Sequence, residues 1–272
     1  MNSFPKIAVQ SLIFAAPIVF GSTVAILPSR AATFAGAGAE IVLENFNRIG
    51  NPDSIESSTN TRTRAIASSP GSVANAETPL ELNTAIATPE KLTQSSVVFA
   101  SGSGTDYLAD AKSKSETGIM FDAVCGCFRF DFQADLLAFV QADLPSETAR
   151  AKSFVAFYIF NNNDLSKPID FLEASFSSDN LFNFDSSSHA FVTESSIDPL
   201  LNALTFNGYY ARKFEQGTRL TVRSVAQTEA FVAAGTVRVP EPSMIAVFGI
   251  LPGLIWLKRR SNLKPVPQNI QN

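Results

Sequence analysis

The stretch from Cys127 to Asp143, CFRFDFQADLLAFVQAD, constrains the fold most, because apolar and polar residues alternate along it with a period of two. Its even positions, from Phe128 onward, are apolar, whereas most of its odd positions carry charged or amide side chains. Successive side chains of a β-strand point to opposite faces, so this pattern predicts a strand buried on one face only. The alternation lapses at Leu137 and Phe139, where we expect a bend.

Further short segments, alternating or apolar throughout, are separated by turn residues such as Asn161–Asp164. They predict strands at 95–101, 118–124, 152–161, 168–176, 189–194, 204–211, 218–227 and 229–239. A short helical turn is expected only at 197–204, with Asp198 as its cap and Pro199 at its first position. Roughly nine strands without intervening helices predict an all-β fold, an antiparallel β-sandwich over residues 95–239.

The residues before this body divide into two parts. Residues 32–49 include alternating small and apolar residues followed by Ile41, Val42 and Leu43, which predicts one N-terminal strand segment. Residues 50–94 are rich in Ser, Thr and Pro, and they contain no aromatic residue. Such a composition buries too little apolar surface to offset chain entropy, so it predicts a flexible, low-complexity stretch.

The charge distribution separates the two ends of the chain from its middle. Residues 1–31 carry two cations and no acid, and residues 240–272 carry four cations against a single acid. Since the whole chain has a formal charge of −4, the middle holds −9. A phosphate backbone would be repelled by this acidic body, so nucleic acid is not expected as a partner.

Residues 1–31 have the layout of a secretory signal peptide. Lys6 gives a positive start, residues 7–27 are uncharged and mostly apolar, and Ser29 and Ala31 place small residues before a cut between Ala31 and Ala32. We therefore predict cleavage by signal peptidase at this bond and export of the mature chain. The alternative is an uncleaved membrane anchor, because the apolar run is long enough to span a bilayer.

The C-terminal region has three parts in a fixed order. Pro240, Glu241 and Pro242 precede an uncharged run at 244–257, and the stop-transfer cations Lys258, Arg259 and Arg260 follow it. As a helix, this run would extend about 21 Å, which is less than the ~30 Å of a hydrocarbon core. The run is therefore better suited to a transient transmembrane segment than to a lasting one, although a plain single-span anchor is the alternative.

This tail resembles the PEP-CTERM sorting signal of exported bacterial proteins, which combines a signal peptide with a Pro-Glu-Pro motif, an apolar run and a basic end. The resemblance covers about the last thirty residues. It implies a sorting signal at 240–260, with Pro240, Glu241 and Pro242 as the processing motif for an exosortase-like membrane enzyme. Residues 261–272 follow the cations and would form a short cytoplasmic tail.

Cys125 and Cys127 are the only cysteines. In an exported protein they could form a disulfide, although residues two apart close a very tight ring. A redox pair or two metal ligands are the functional alternatives. Because a metal site needs three or four ligands and no second cluster is present, we predict neither a metal nor a cofactor.

No residue is predicted to be catalytic. His189, the single histidine, follows Asp185 and three serines, but sequence neighbours on one loop cannot align as nucleophile, base and orienting group. Asp131 and Asp135 could in principle act as a glycosidase pair, although such residues are common on a sandwich face. Calcium could be held by Asp residues of the loops at 161–164 and 179–185, but no calcium-loop motif occurs.

The exposed aromatic residues offer one binding function. Tyr209 and Tyr210 are candidates for stacking on sugar rings, whereas most phenylalanines are expected in the core. The sequence therefore predicts a non-enzymatic, exported protein of the cell surface or extracellular matrix, anchored in the membrane as a precursor and then released. The alternatives are a carbohydrate-binding β-sandwich of the exopolysaccharide layer and a secreted hydrolase.

Overall fold

The computed structural model describes residues 32–47, 52–123, 126–161, 164–179 and 181–235, and most of these residues lie in β-strands. The strands are β1 (Ala32–Asn47), β2 (Ser54–Ala67), β3 (Val73–Glu77), β4 (Thr84–Ala87), β5 (Lys91–Ser103), β6 (Tyr107–Asp122), β7 (Gly126–Gln141), β8 (Thr148–Asn161), β9 (Asp170–Ser177), β10 (Phe182–Ser186), β11 (Ala190–Asp198), β12 (Ala203–Phe214) and β13 (Arg219–Ala234). Among the described residues, the one helical element is a 3-10 turn at Leu80–Leu82.

The strands form two antiparallel sheets that pack face to face, which confirms the prediction of an all-β sandwich. In the first sheet the order is β11-β12-β7-β1-β5-β3, and β4 also pairs with β5. In the second sheet the order is β10-β9-β8-β13-β6-β2. Of the thirteen described strands, the nine from β5 to β13 belong to the region predicted as the sandwich, which agrees with the expected number, whereas β1 lies near the centre of the first sheet rather than outside the sandwich.

Strand β7 has the alternation that was expected from its sequence. Its even positions from Phe128 to Ala138 are buried between the sheets, and its odd positions point to the outer face. No β-bulge accompanies the predicted bend, because β7 keeps an unbroken register with β1 through Leu137 and Phe139. Phe139 instead packs on the outer face, 5.3 Å from the ring of Phe34, and it lies over Gly36, where a Cβ atom would be 2.5 Å from the Phe139 ring.

The prediction of a flexible stretch over residues 50–94 is wrong for the described part of that range. Strand β2 pairs with β6 along its whole length, and β3 and β4 pair with β5. Nearly all β2 side chains are exposed. An edge strand needs only one hydrogen-bonded neighbour, so β-branched Thr and polar Ser and Arg can form it without burying apolar surface.

Two smaller predictions also differ from the structure. The segments 218–227 and 229–239 were expected to be separate strands, but β13 runs without interruption from Arg219 to Ala234. At 197–204 the chain makes a turn between β11 and β12 rather than a helix. Asp198 nevertheless caps that turn, because its Oδ1 accepts hydrogen bonds from the backbone N–H groups of Leu200 (2.9 Å) and Leu201 (3.2 Å).

The interior has an aromatic half and a polar half. On the β7–β8–β12 side, Phe130 stacks on Tyr210 at 5.1 Å and meets Phe157 edge-on at 5.2 Å. On the β5–β6–β13 side, buried hydroxyl groups bond to one another across the sheets, as in Ser96–Thr228 at 2.7 Å. Gln94 belongs to the same polar half. Its buried amide is satisfied, because it forms hydrogen bonds with two further hydroxyl-bearing side chains.

Candidate functional site

A buried carboxylate at the junction of the two sheets collects the most polar contacts. Asp170, on the inner face of β9, has a side chain that is 2% exposed. Its Oδ2 accepts hydrogen bonds from Arg212 Nη1 at 2.6 Å and from the Tyr210 hydroxyl at 2.8 Å, both on β12. His189 Nδ1 lies 2.9 Å from its Oδ1. Asp170 therefore ties the second sheet to the first.

These contacts determine the charge of Asp170. Burial alone would raise its pKa, but the hydrogen bonds from Arg212, Tyr210, His189 and Ser187 outweigh burial and hold the pKa below its ordinary value of 3.8. Burial, together with the bond to this carboxylate, raises the pKa of Tyr210. The cluster thus contains an ionised Asp170, a neutral tyrosine and an arginine whose charge the carboxylate balances.

The Asp170–His189 contact is one half of a nucleophile-activating arrangement, in which a carboxylate orients a histidine. Among the described residues, however, no serine, threonine or cysteine side chain is hydrogen-bonded to His189. Ser187, two residues away, instead accepts a hydrogen bond from the Phe171 backbone N–H at 3.3 Å. The geometry supports an electrostatic tie between the sheets rather than a hydrolytic triad.

A row of planar side chains crosses the outer face of the first sheet. The rings of Phe191 and Tyr209 stack at 5.1 Å with an angle of 25° between their planes. The Arg129 guanidinium lies 4.4 Å from the centre of the Tyr209 ring and 3.2 Å from Asp131 Oδ1. Phe191, on the edge strand β11, is 43% exposed. This row is termed the aromatic row.

The two tyrosines predicted to stack on sugars lie on opposite faces. Tyr209 belongs to the aromatic row, but Tyr210 is 0% exposed and lies in the core, so the prediction for Tyr210 is wrong. Adjacent strand residues must face opposite ways, and Tyr210 is in phase with the buried residues Leu204 and Phe206. Sequence reasoning did not predict Phe191, the second ring of the row, as a binding residue.

The structure does not bring Asp131 and Asp135 together as a catalytic pair. They lie four residues apart on β7, which separates their Cα atoms by about 13 Å, and other side chains bond to their carboxylates, Arg129 to Asp131 and Thr205 to Asp135. The neighbour of Asp135 is instead Glu40, directly opposite on β1. Burial is the main cause that raises the pKa of both Glu40 and Asp135, and the charge of Asp135 adds to the effect at Glu40.

The remaining predicted sites are only partly covered by the structure. Cys127 is exposed, but Cys125 lies outside the described residues, so their disulfide stays a prediction. No group of three metal-binding side chains occurs among the described residues, although parts of the loops at 161–164 and 179–185 lie outside them. The described residues also contain no helix that is long and apolar enough to span a membrane.

The predicted sorting residues also lie outside the described part of the chain. These are Ala31 of the cleavage site, the processing motif Pro240, Glu241 and Pro242, and the stop-transfer cations Lys258, Arg259 and Arg260. Ala32 is described and is the first residue of β1. Its backbone N donates a hydrogen bond to Asp143 Oδ2 at 2.9 Å.

Comparisons with known proteins do not assign this chain to a family. No protein-family model matches the sequence, and no curated protein matches it. A solved structure, the translocator domain of the autotransporter NalP from Neisseria meningitidis, matches at 10% identity with a TM-score of 0.15, covering 84% of this chain and 98% of that chain. A TM-score this low carries no argument about fold or function.

Proposed function

We propose that this protein is an exported, non-enzymatic protein of the cell surface or extracellular matrix, and that residues 240–260 form a PEP-CTERM-like sorting signal. Signal peptidase and an exosortase-like enzyme are its processing partners. The support in the sequence is the order of its parts: an N-terminal signal, an acidic body, Pro240-Glu241-Pro242, a short apolar run and three cations. The membrane is a transient location in this proposal.

The observation that carries the proposal is the contact at the start of β1. Cleavage after Ala31 would convert the backbone N of Ala32 into a charged amine, and this atom lies 2.9 Å from the carboxylate of Asp143. A charge-assisted hydrogen bond of this length stabilises a free amine. At the other end, the last described strand, β13, ends at Ala234, and the described residues end at 235, before Pro240.

The absence of enzymatic activity is part of the same proposal, and two geometries support it. His189 is oriented by Asp170 but meets no hydroxyl or thiol among the described residues. Asp131 and Asp135 are four residues apart on β7, and their carboxylates accept hydrogen bonds from Arg129 and Thr205.

Fractionation of cells tests the sorting proposal. A tag inserted before Pro240 should appear in the released fraction, and neutralising Lys258, Arg259 and Arg260 to glutamine should alter that distribution. Mass spectrometry of the released protein should find an N-terminal peptide that begins at Ala32 and no peptide containing Trp256. Mature surface protein that retains Trp256 would show that the tail is an ordinary anchor.

Carbohydrate binding is the second candidate function, and the aromatic row favours it. Sugars present C–H groups that stack on aromatic faces, and Phe191 at the sheet edge is 43% exposed. Amide and carboxylate side chains next to the row, including Gln133 and Asp131, can bond to sugar hydroxyls. The acids of this face outnumber its cations nearby, so a neutral glycan is the favoured ligand.

A glycan array and affinity electrophoresis in neutral polysaccharide gels test this second candidate. Phe191→Ala or Tyr209→Ala should weaken binding by about tenfold each, since a loss of about 1.4 kcal/mol corresponds to that factor. Phe182→Ala is the matched control, because Phe182 on β10 is also exposed (39%) but lies outside the row. Equal loss in the control variant would rule out the aromatic row as the binding surface.

A further inference from the structure

Three pairs of cationic side chains lie side by side on the outer face of the second sheet. The pairs are Arg62 and Arg64 on β2, Lys112 and Lys114 on β6, and Arg150 and Lys152 on β8. These six residues are termed the basic face. One residue separates the two cations of each pair, so both side chains point to the same side of the sheet.

The strand register places the pairs of β2 and β6 next to each other, and the pair of β8 lies beyond the intervening strand β13. Arg62 is opposite Lys112, Lys112 is opposite Glu229 of β13, and Glu229 is opposite Lys152. These four residues form a row across four strands, which spans about 14 Å at the usual strand spacing. The adjacent row contains Arg64, Asp110, Phe231 and Arg150.

Most of this positive charge is not neutralised within the described part of the chain. Lys114 Nζ lies 2.6 Å from Glu116, and Lys112 Nζ lies 4.0 Å from Glu229. None of the described acidic residues forms an ion pair with the three arginines, Arg62, Arg64 and Arg150, all of which are exposed. The three arginines are therefore available to an external anion.

The clustering is notable because the body as a whole is acidic. Residues 32–235 contain fourteen Lys and Arg against twenty-four Asp and Glu, yet six of the fourteen cations belong to the basic face. A local excess of cations produces a positive potential over that part of the surface, even when the net charge of the molecule is negative. Two acids, Asp110 and Glu229, lie in the same rows, so the basic face has an excess of cations rather than an unbroken positive charge.

We propose that the basic face binds an anionic polysaccharide that carries carboxylate or sulfate groups. The inference rests on the proposed export, since such polymers lie outside the cell membrane. A flat array about 14 Å wide suits an extended polymer that crosses the strands. Ser58 and Asn60, exposed on the same side of β2, can bond to sugar hydroxyls.

Two other polyanions fit the observations less well. Duplex DNA carries one negative charge per about 1.7 Å of its axis, a higher density than one carboxylate per sugar residue, so the acidic remainder of the body repels it more strongly than a uronic-acid polymer. An anionic bilayer gains affinity from side chains that insert between lipids. The aromatic residues of this face, Phe154 and Phe231, are half-buried.

Binding of the full-length protein to immobilised alginate, dextran sulfate and uncharged dextran tests the proposal. The variant Arg62→Gln, Arg64→Gln, Arg150→Gln should bind alginate at least about tenfold more weakly than the unmodified chain, and its binding should depend less steeply on salt, because fewer counterions are released. The control variant Lys91→Gln, Lys167→Gln, Lys213→Gln removes the same charge from exposed positions outside the basic face. It should bind like the unmodified chain.

Four results would overturn the inference: no binding to alginate, equal losses in the two triple variants, equal binding to uncharged dextran, or displacement by duplex DNA or short-chain phosphatidylglycerol at lower concentration than by soluble alginate. Circular dichroism of each variant checks that the sandwich is intact. The outcome is separable from the sorting test, because fractionation measures removal of the tail. A chain that is processed normally but does not bind alginate would refute this inference alone.

Discussion

The substitution Asp170→Asn tests whether the buried carboxylate ties the two sheets together. The side chain of Asp170 is 2% exposed, and it receives contacts of 2.6 Å from Arg212, 2.8 Å from Tyr210 and 2.9 Å from His189. Asparagine has nearly the same shape, but it removes the negative charge and one of the two acceptor oxygens. The variant therefore leaves the Arg212 charge unbalanced without creating a cavity.

The expected loss is about 3 kcal/mol in the free energy of unfolding. Removal of one partner from a buried ion pair typically costs about 3–5 kcal/mol, and the low end applies because Arg212 is 33% exposed and partly solvated. For a domain of this size, about 3 kcal/mol lowers the melting temperature by roughly 6–12 °C. Urea denaturation followed by circular dichroism, together with calorimetry, measures both quantities.

The pH dependence provides the sharper test. Because the folded-state pKa of Asp170 lies below its ordinary value of 3.8, its contribution to stability is present above pH 3.8 and is lost as the pH falls through the folded-state pKa. The stability difference between the unmodified protein and Asp170→Asn should therefore shrink as the pH falls below 3.8. A difference under about 1 kcal/mol at pH 7, or one that does not change on acidification, would refute the tie.

Two further predictions concern the first sheet. Glu40→Gln should be neutral or stabilising by up to about 1 kcal/mol at pH 7, because burial and Asp135 raise the pKa of Glu40. Urea titrations should show that this gain vanishes below pH 4.5. A variant that is destabilised at pH 7 would contradict the prediction. Gly208→Ala should lower the free energy of unfolding by more than about 2 kcal/mol, since its Cβ would lie 2.0 Å from the Phe191 carbonyl oxygen. In the control Gly118→Ala the nearest atom lies 3.5 Å from the new Cβ, so the midpoint of urea unfolding should change little. Equal effects of the two glycine substitutions would contradict this packing.

Strands with one buried face were predictable because their burial leaves a period of two in the sequence. The phenylalanines of β7 at 128, 130 and 132 alternate with Arg129 and Asp131, and the structure buries the first set and exposes the second. Strand β13 was predicted as two pieces, since its inward positions include Ser224 and Thr228. These hydroxyls are satisfied by partners on β5 and β6, which a local pattern does not reveal.

The tie at Asp170 was only partly visible in the sequence. Asp170 lies two residues before Leu172 and four before Ala174, so it shares the inward face of its strand, where an acid is unusual and needs partners. That signal could have identified the residue as a buried acid. Its partners Tyr210 and Arg212 lie forty and forty-two residues further along the chain, so their identity depends on how β9 and β12 face each other across the sandwich.

The basic face shows why a surface site can be missed in a sequence even when each of its short cationic motifs is visible there. Each cation pair is a short motif, R-x-R, K-x-K or R-x-K, and each alone describes an ordinary exposed strand. Their alignment requires β2, whose polar composition favoured a flexible stretch, to pair with β6 so that Arg62 lies opposite Lys112, fifty residues away. An edge strand of this kind gains its order from backbone hydrogen bonds to its neighbour. The position of β2, and the charge pattern that β2 completes, therefore depend on the sequence of β6 as much as on that of β2.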